Sequence, residues 1–136
     1  MTSNVNGLKT ELSAFDPSST LRVLEEKIVE AGMQIFAKID HAAGAKEAGL
    51  ELRPTTLLIF GTAKAGTALM QAQQTVGIDL PLKALIWEDA DGHTWVSYDD
   101  PHWLVARHGD LGDVKLTLDN MAGKIDQLVN RAISRL

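Results

Sequence analysis

The sequence has no cysteine among its 136 residues. That absence excludes disulfides, a thiolate nucleophile, iron–sulfur clusters and any thiolate zinc site, and it leaves the redox compartment unreadable from thiols. No apolar run approaches the ~20 residues that span a bilayer. The first seven residues, Met1 to Gly7, carry neither the charged nor the apolar part of a signal peptide. With Met1 taken as the natural start, the expectation is a cytoplasmic protein with no membrane partner. Basic residues number 13 against 18 acidic ones, for a net charge of -5, and they are scattered. Neutralising a phosphate backbone needs a concentrated positive face, so no nucleic-acid partner is expected.

Catalytic signatures are also missing. There is no G-x-S-x-G elbow, and the serines lie in tail, cap, strand or helix settings without a neighbouring base. None of His41, His93, His102 and His108 has the i, i+4 histidine spacing with a glutamate that marks a helical zinc site, so no metal is expected. Asp89 with Asp91, and Asp99 with Asp100, fall in turn positions where aspartate belongs for its hydrogen bonds. No repeat or long linker interrupts the chain. The reading is therefore one domain over 7–136, with 1–6 as a flexible tail.

What is present patterns well. From Gly7 to Ala14 the apolar Leu8, Leu12 and Ala14 alternate with polar residues, as in a half-buried strand. Asp16-Pro17 then opens a helix in which Leu21, Leu24, Ile28 and Ala31 recur at helical spacing before Gly32. Met33, Ile35, Ala37 and Ile39 alternate as a second strand, whose end delivers Asp40 and His41. Ala42 to Ala48 predicts a short helix closed by Gly49. Thr55 to Phe60 reads as a strand covered on both faces, followed by a Gly61 to Thr67 turn and a helix over 67–74. Gly77 to Pro81 reads as a loop. Residues 84–88 and 93–98, joined by Asp89-Ala90-Asp91-Gly92, predict a hairpin. Asp99-Asp100-Pro101 opens a short helix carrying His102, Trp103 and His108. The stripe Leu118, Met121, Ile125, Leu128, Val129, Ala132, Ile133 and Leu136 predicts a long last helix. This order lacks strict strand–helix alternation and fits an α+β fold, a mostly antiparallel sheet with helices on one face.

Three constellations carry candidate chemistry. Gly61-Thr62-Ala63-Lys64-Ala65-Gly66-Thr67 follows a strand and precedes a helix, but it lacks the lysine that should follow the second glycine of a phosphate-binding loop. Its helix start can still hold a carboxylate or phosphate, and a tight turn explains the glycines equally well. Asp40 and His41 read either as an orienting carboxylate with a general base, or as a helix cap beside a locally bonded imidazole. Trp87 and Trp95, on adjacent hairpin strands, read as core, as a subunit contact or as a cavity wall. Tyr98 and Trp103 complete this aromatic third of a chain that is only 5% aromatic.

The run from Phe36 to Ala45 (Phe-Ala-Lys-Ile-Asp-His-Ala-Ala-Gly-Ala) is the most distinctive of all. Together with Leu50 to Pro54, Leu57 to Gly61, Gly66-Thr67, Leu69-Met70, Asp79 to Lys83, Trp87-Glu88-Asp89, Tyr98 and Pro101, it resembles the domain of unknown function 302 family. The resemblance covers about Leu21 to Gly109. It implies a TATA-binding-protein-like α+β fold, in which a curved antiparallel sheet grips a long C-terminal helix, and it implies a homodimer. It brings no established activity, and the cofactor stays unknown. The chain departs from the family pattern at Thr62-Ala63, commonly Asn-Pro, and at Ala68, commonly Pro, which implies a looser turn. The leading expectation is a small-molecule or anion binding domain using Asp40, His41, Gly61, Thr62, Lys64 and Thr67 at neighbouring strand ends. The alternatives are an enzyme with His41 as general base and Asp40 or Asp99 as partner, or a structural homodimer built on the hairpin aromatics.

Overall fold

The computed structural model describes residues 2–135. Strands β1 (Thr2–Val5) and β2 (Leu8–Leu12) precede helix α1 (Pro17–Glu30), strand β3 (Gln34–Asp40) and helix α2 (His41–Glu47). Strand β4 (Thr55–Gly61), helix α3 (Ala63–Ala72) and a 3-10 helix (Gln74–Asp79) follow. The chain then forms β5 (Leu82–Glu88), β6 (Thr94–Asp99), α4 (Pro101–Ala106) and α5 (Lys115–Ile133). The six strands make one sheet in the order β1-β2-β6-β5-β4-β3, and every pair is antiparallel. The α+β expectation, with an antiparallel sheet and a long C-terminal helix, holds.

Local chemistry accounts for most element ends. The Asp16 side chain accepts from the Ser19 amide at 2.8 Å, with Pro17 in the first turn of α1, as a capped helix start requires. The Asp89 carboxylate accepts from the Asp91 and His93 amides and from the Trp95 indole N–H, at 3.0, 2.9 and 2.8 Å. These bonds close the β5–β6 hairpin and hold Asp89 below the usual carboxylate range. They also account for the closeness of Asp89, Asp91 and His93, which is turn chemistry.

Four expectations are corrected. Residues 2–5 are not a tail but pair with β2, while Met1 and Leu136 lie outside the described residues. Asn6 and Gly7 both have positive φ, 53° and 79°, the two-residue turn that an Asn-Gly pair favours. A Cβ on Gly7 would also lie 2.2 Å from the Trp103 ring, so only glycine fits there. Secondly, the alternation of β3 breaks. Ile35 pairs with Phe60 but Ala37 with Ile59, so Phe36 is a bulged extra residue and Ala37 and Ile39 turn to the other face. Thirdly, α3 begins at Ala63 rather than 67, capped by the Thr62 hydroxyl. The 3-10 helix then occupies part of the predicted loop.

The fourth correction concerns β4. Leu58 and Phe60 are fully buried against α1 and α5, with Leu24, Ile28, Ile86, Val96, Ile125 and Val129. Its other residues Leu57 and Ile59 are only half-buried, because all the helices of the main core lie on one face. A second cluster, Leu69, Val76, Val105 and Leu118, ties α3, the 3-10 helix, α4 and α5 together. Leu80 and Met121 pack against both clusters. Just past the middle of α5, Asp126 accepts from the Tyr98 hydroxyl at 2.8 Å and pairs with Lys9 at 3.0 Å.

Candidate functional site

Between the two clusters the sheet end opens into a cavity of about 530 Å³. The turn Gly61-Thr62 and the first two turns of α3 form one wall, and residues 117, 120, 121 and 124 of α5 form another. That second wall follows from helical geometry, since spacings of three and four residues align side chains on one face. Thr117, Asn120, Met121 and Lys124 form this stripe, next to the core stripe of Leu118, Ile125 and Val129. Leu80, Pro81 and Leu82 supply an apolar floor, and the bulge at Phe36 brings that ring to the rim.

The cavity wall has one sign of charge. Lys64 and Lys124 line it and no aspartate or glutamate does. Among the described residues neither lysine takes part in an ion pair. The start of α3 adds the partial positive charge of a helix N-terminus, and Thr62, Thr67, Thr117 and Asn120 offer hydrogen bonds.

The sequence-derived candidates divide into two places. Gly61, Thr62, Lys64 and Thr67 all line the cavity. Asp40 and His41 do not. Antiparallel pairing sets Gln34 beside Gly61 and Asp40 beside Thr56, so the end of β3 lies against the start of β4. The strand between positions 56 and 61 is about 17 Å long at ~3.3 Å per residue. The expected convergence of these groups at neighbouring strand ends therefore does not occur. Asp40 Oδ1 accepts from the Ala43 amide at 2.9 Å and caps α2, while His41 is exposed. Asp99 is on β6, three strand spacings from β3, about 14 Å at the least, and cannot orient His41.

One polar network beside the cavity escaped the sequence reading. Asp79, at the end of the 3-10 helix, accepts from Arg107 Nε and Nη2 at 3.0 and 3.1 Å. It also meets His108 Nε2 at 2.6 Å, and His108 Nδ1 meets the Thr75 hydroxyl at 2.9 Å. Burial alone would raise the Asp79 pKa. The hydrogen bonds and positive charge of His108 and Arg107 outweigh it and hold the carboxyl below its usual range. An ionised carboxylate only accepts, so His108 Nε2 donates. The network fastens the 3-10 helix, which carries the cavity residue Gly77, to the end of α4. The short helix expected to carry both histidines ends at Ala106, before His108, and His102 pairs instead with Asp119 at 3.1 Å, so the two serve separate contacts.

These features define the class: an antiparallel α+β domain with a cation-lined cavity between the end of its sheet and its last helix. The chain belongs to the family described as Domain of unknown function DUF302, whose sequence profile matches residues 8–133. A crystal structure of an uncharacterized conserved protein of that family from Bacillus stearothermophilus superposes with a TM-score of 0.83. The likeness covers 93% of this chain and 98% of that one at 19% identity, and so speaks for the fold. The chain is also 48% identical over 103 residues to proteins named fluoride-specific ion channel FluC 1 from Brucella suis biovar 1 (strain 1330) and Brucella abortus biovar 1 (strain 9-941). The match takes in 76% of this chain but only 41% and 38% of those proteins, so the chain spans about two fifths of their length. Among the described residues no helix is long and apolar enough to cross a membrane.

Proposed function

We propose that the protein binds a small molecule or anion in the cavity between the start of α3 and the Thr117 to Lys124 stripe of α5. One observation carries this reading: a chain with 18 acidic residues and a net charge of -5 lines this cavity with two lysines and no carboxylate. Its volume falls in the ~300–1,000 Å³ range of small-molecule sites. The test uses the fluorescent aromatic sulfonate anilinonaphthalene sulfonate on the folded protein. The wild type should bind it saturably. Joint Lys64→Glu and Lys124→Glu substitution should weaken binding at least tenfold, about 1.4 kcal/mol, and His41→Ala should leave it unchanged. Equal weakening by His41→Ala would move the site to the α2 edge and favour the general-base enzyme.

We also infer a homodimer formed through the open face of the sheet. There Trp87 and Trp95 stack with ring centroids 6.2 Å apart, beside the half-buried Leu57, Ile59 and Leu85 and the more exposed Leu8, Leu12 and Ile39. A strand as apolar as β4 reads as covered twice, and a second copy would supply the missing cover.

The Brucella match supports a reading of the partner. A segment making up about two fifths of proteins named as fluoride channels corresponds here to a domain in which, among the described residues, no helix is long and apolar enough to cross a membrane. On this reading the domain works beside such a channel. Cells deleted for the protein should then stop growing at a lower fluoride concentration than the parent strain. Identical fluoride tolerance would contradict the association.

A further inference from the structure

We propose that the cavity takes an amphipathic monoanion, a carboxylate on a straight aliphatic chain, with its head at Lys64 and Lys124 and its chain laid over Met33, Met70 and Met121. This rests on the cavity being the binding site and names the chemistry of its ligand. The first argument is the placement of methionine. The chain has four, and the three beyond Met1 all line this one cavity. Methionine is unbranched, flexible and polarisable, so a wall built from it adapts to a flexible chain better than a β-branched wall would.

The second argument is the grading of the cavity from mouth to floor. Lys64 and Lys124 are exposed, the three methionines and Leu80 are half-buried, and Gly66 and Leu82 are buried. A ligand charged at one end and apolar along its length matches that order. The wall has lysines but no arginine, hence single cationic contacts without the planar fork that grips a phosphate by two oxygens. The third is the close fit at Gly66. A Cβ placed there would already be in van der Waals contact with Leu80 and Met70, at 3.6 and 3.7 Å, so a methyl group just fits and a larger side chain would press on two apolar groups that line the cavity.

The test displaces anilinonaphthalene sulfonate from the wild type with hexanoate, octanoate, decanoate and dodecanoate below their micellar concentrations. Affinity should rise about fourfold per added methylene until the floor is filled. Decanol should bind at least tenfold more weakly than decanoate, and the joint Lys64→Glu and Lys124→Glu variant should erase that difference. Gly66→Leu, which fills the floor, should weaken decanoate while sparing hexanoate. Equal affinity for all chain lengths, with the dye still lost in the lysine variant, would overturn the amphipathic ligand and leave the cavity reading standing. Tighter binding of decyl phosphate than of decanoate would overturn the carboxylate head. No displacement, with dye binding indifferent to every cavity variant, would overturn both.

Discussion

Replacing Asp79 by Ala should destabilise the fold by about 2–3 kcal/mol and loosen the cavity wall with it. The cost falls unequally on the two partners. The Arg107 side chain is 53% exposed and recovers water, whereas that of His108 is 9% exposed and keeps a buried N–H with nothing to accept it. Asp79→Asn retains one acceptor and should lose about half as much. The pH dependence separates a charged network from simple packing. The Asp79 pKa is lowered in the folded state, so its contribution is complete above the ordinary aspartate value of about 3.9 and is lost as pH falls through the lower folded value. Urea unfolding at pH 7 should therefore show the full gap between wild type and Asp79→Asn. That gap should shrink at pH 3. A gap that stayed constant with pH would show that the carboxylate charge is not what fastens the 3-10 helix.

The second large effect concerns assembly. Trp95→Ala should turn a dimer into a monomer, raising the dissociation constant by roughly 30- to 1,000-fold if the indole is a central anchor. Leu85→Glu, which puts a charge on the same face, should do so as well. Neither change removes a residue of the buried core between sheet and helices, so both variants should unfold cooperatively, within about 1.5 kcal/mol of the wild-type protomer. Trp95→Ala also frees one Asp89 oxygen, but the Asp91 and His93 amides still hold that turn. Light scattering at micromolar concentration decides the matter. A monomeric wild type, or variants that remain dimers, would remove the sheet face as a subunit contact.

Features with a local cause were legible in the sequence. Asp16-Pro17, the stripe of α5 and the Asp89 to Gly92 turn each carry their own hydrogen-bond or periodicity signal within a few residues. Asn6-Gly7 carries one too, the pair that favours a two-residue hairpin, although composition alone puts Asn6 in a tail and Gly7 at the start of a strand. The bulge at Phe36 was not legible, because one inserted residue reverses the face of every later side chain without altering composition. The start of α3 was obscured by Gly66, a poor helix residue that here packs closely against Leu80 and Met70.

The site was half readable for the same reason. Gly61, Thr62, Lys64 and Thr67 are contiguous and stand out as a turn before a helix. Thr117, Asn120 and Lys124 join them only because α5 packs beside that turn, and Asp79 meets Arg107 and His108 only because α4 folds back on the 3-10 helix. Asp40 and His41 misled because the direction of pairing decides which strand ends are neighbours, and antiparallel pairing sent them to the far end of β4.

The most direct measurement is a two-dimensional amide NMR titration of the wild-type protein with anilinonaphthalene sulfonate. The amides of residues 61–70, 77–80, 82 and 117–124 should shift together with a single dissociation constant, while those of 40–47 stay in place. Shifts centred on 40–47, with the α3 and α5 walls unmoved, would contradict the account.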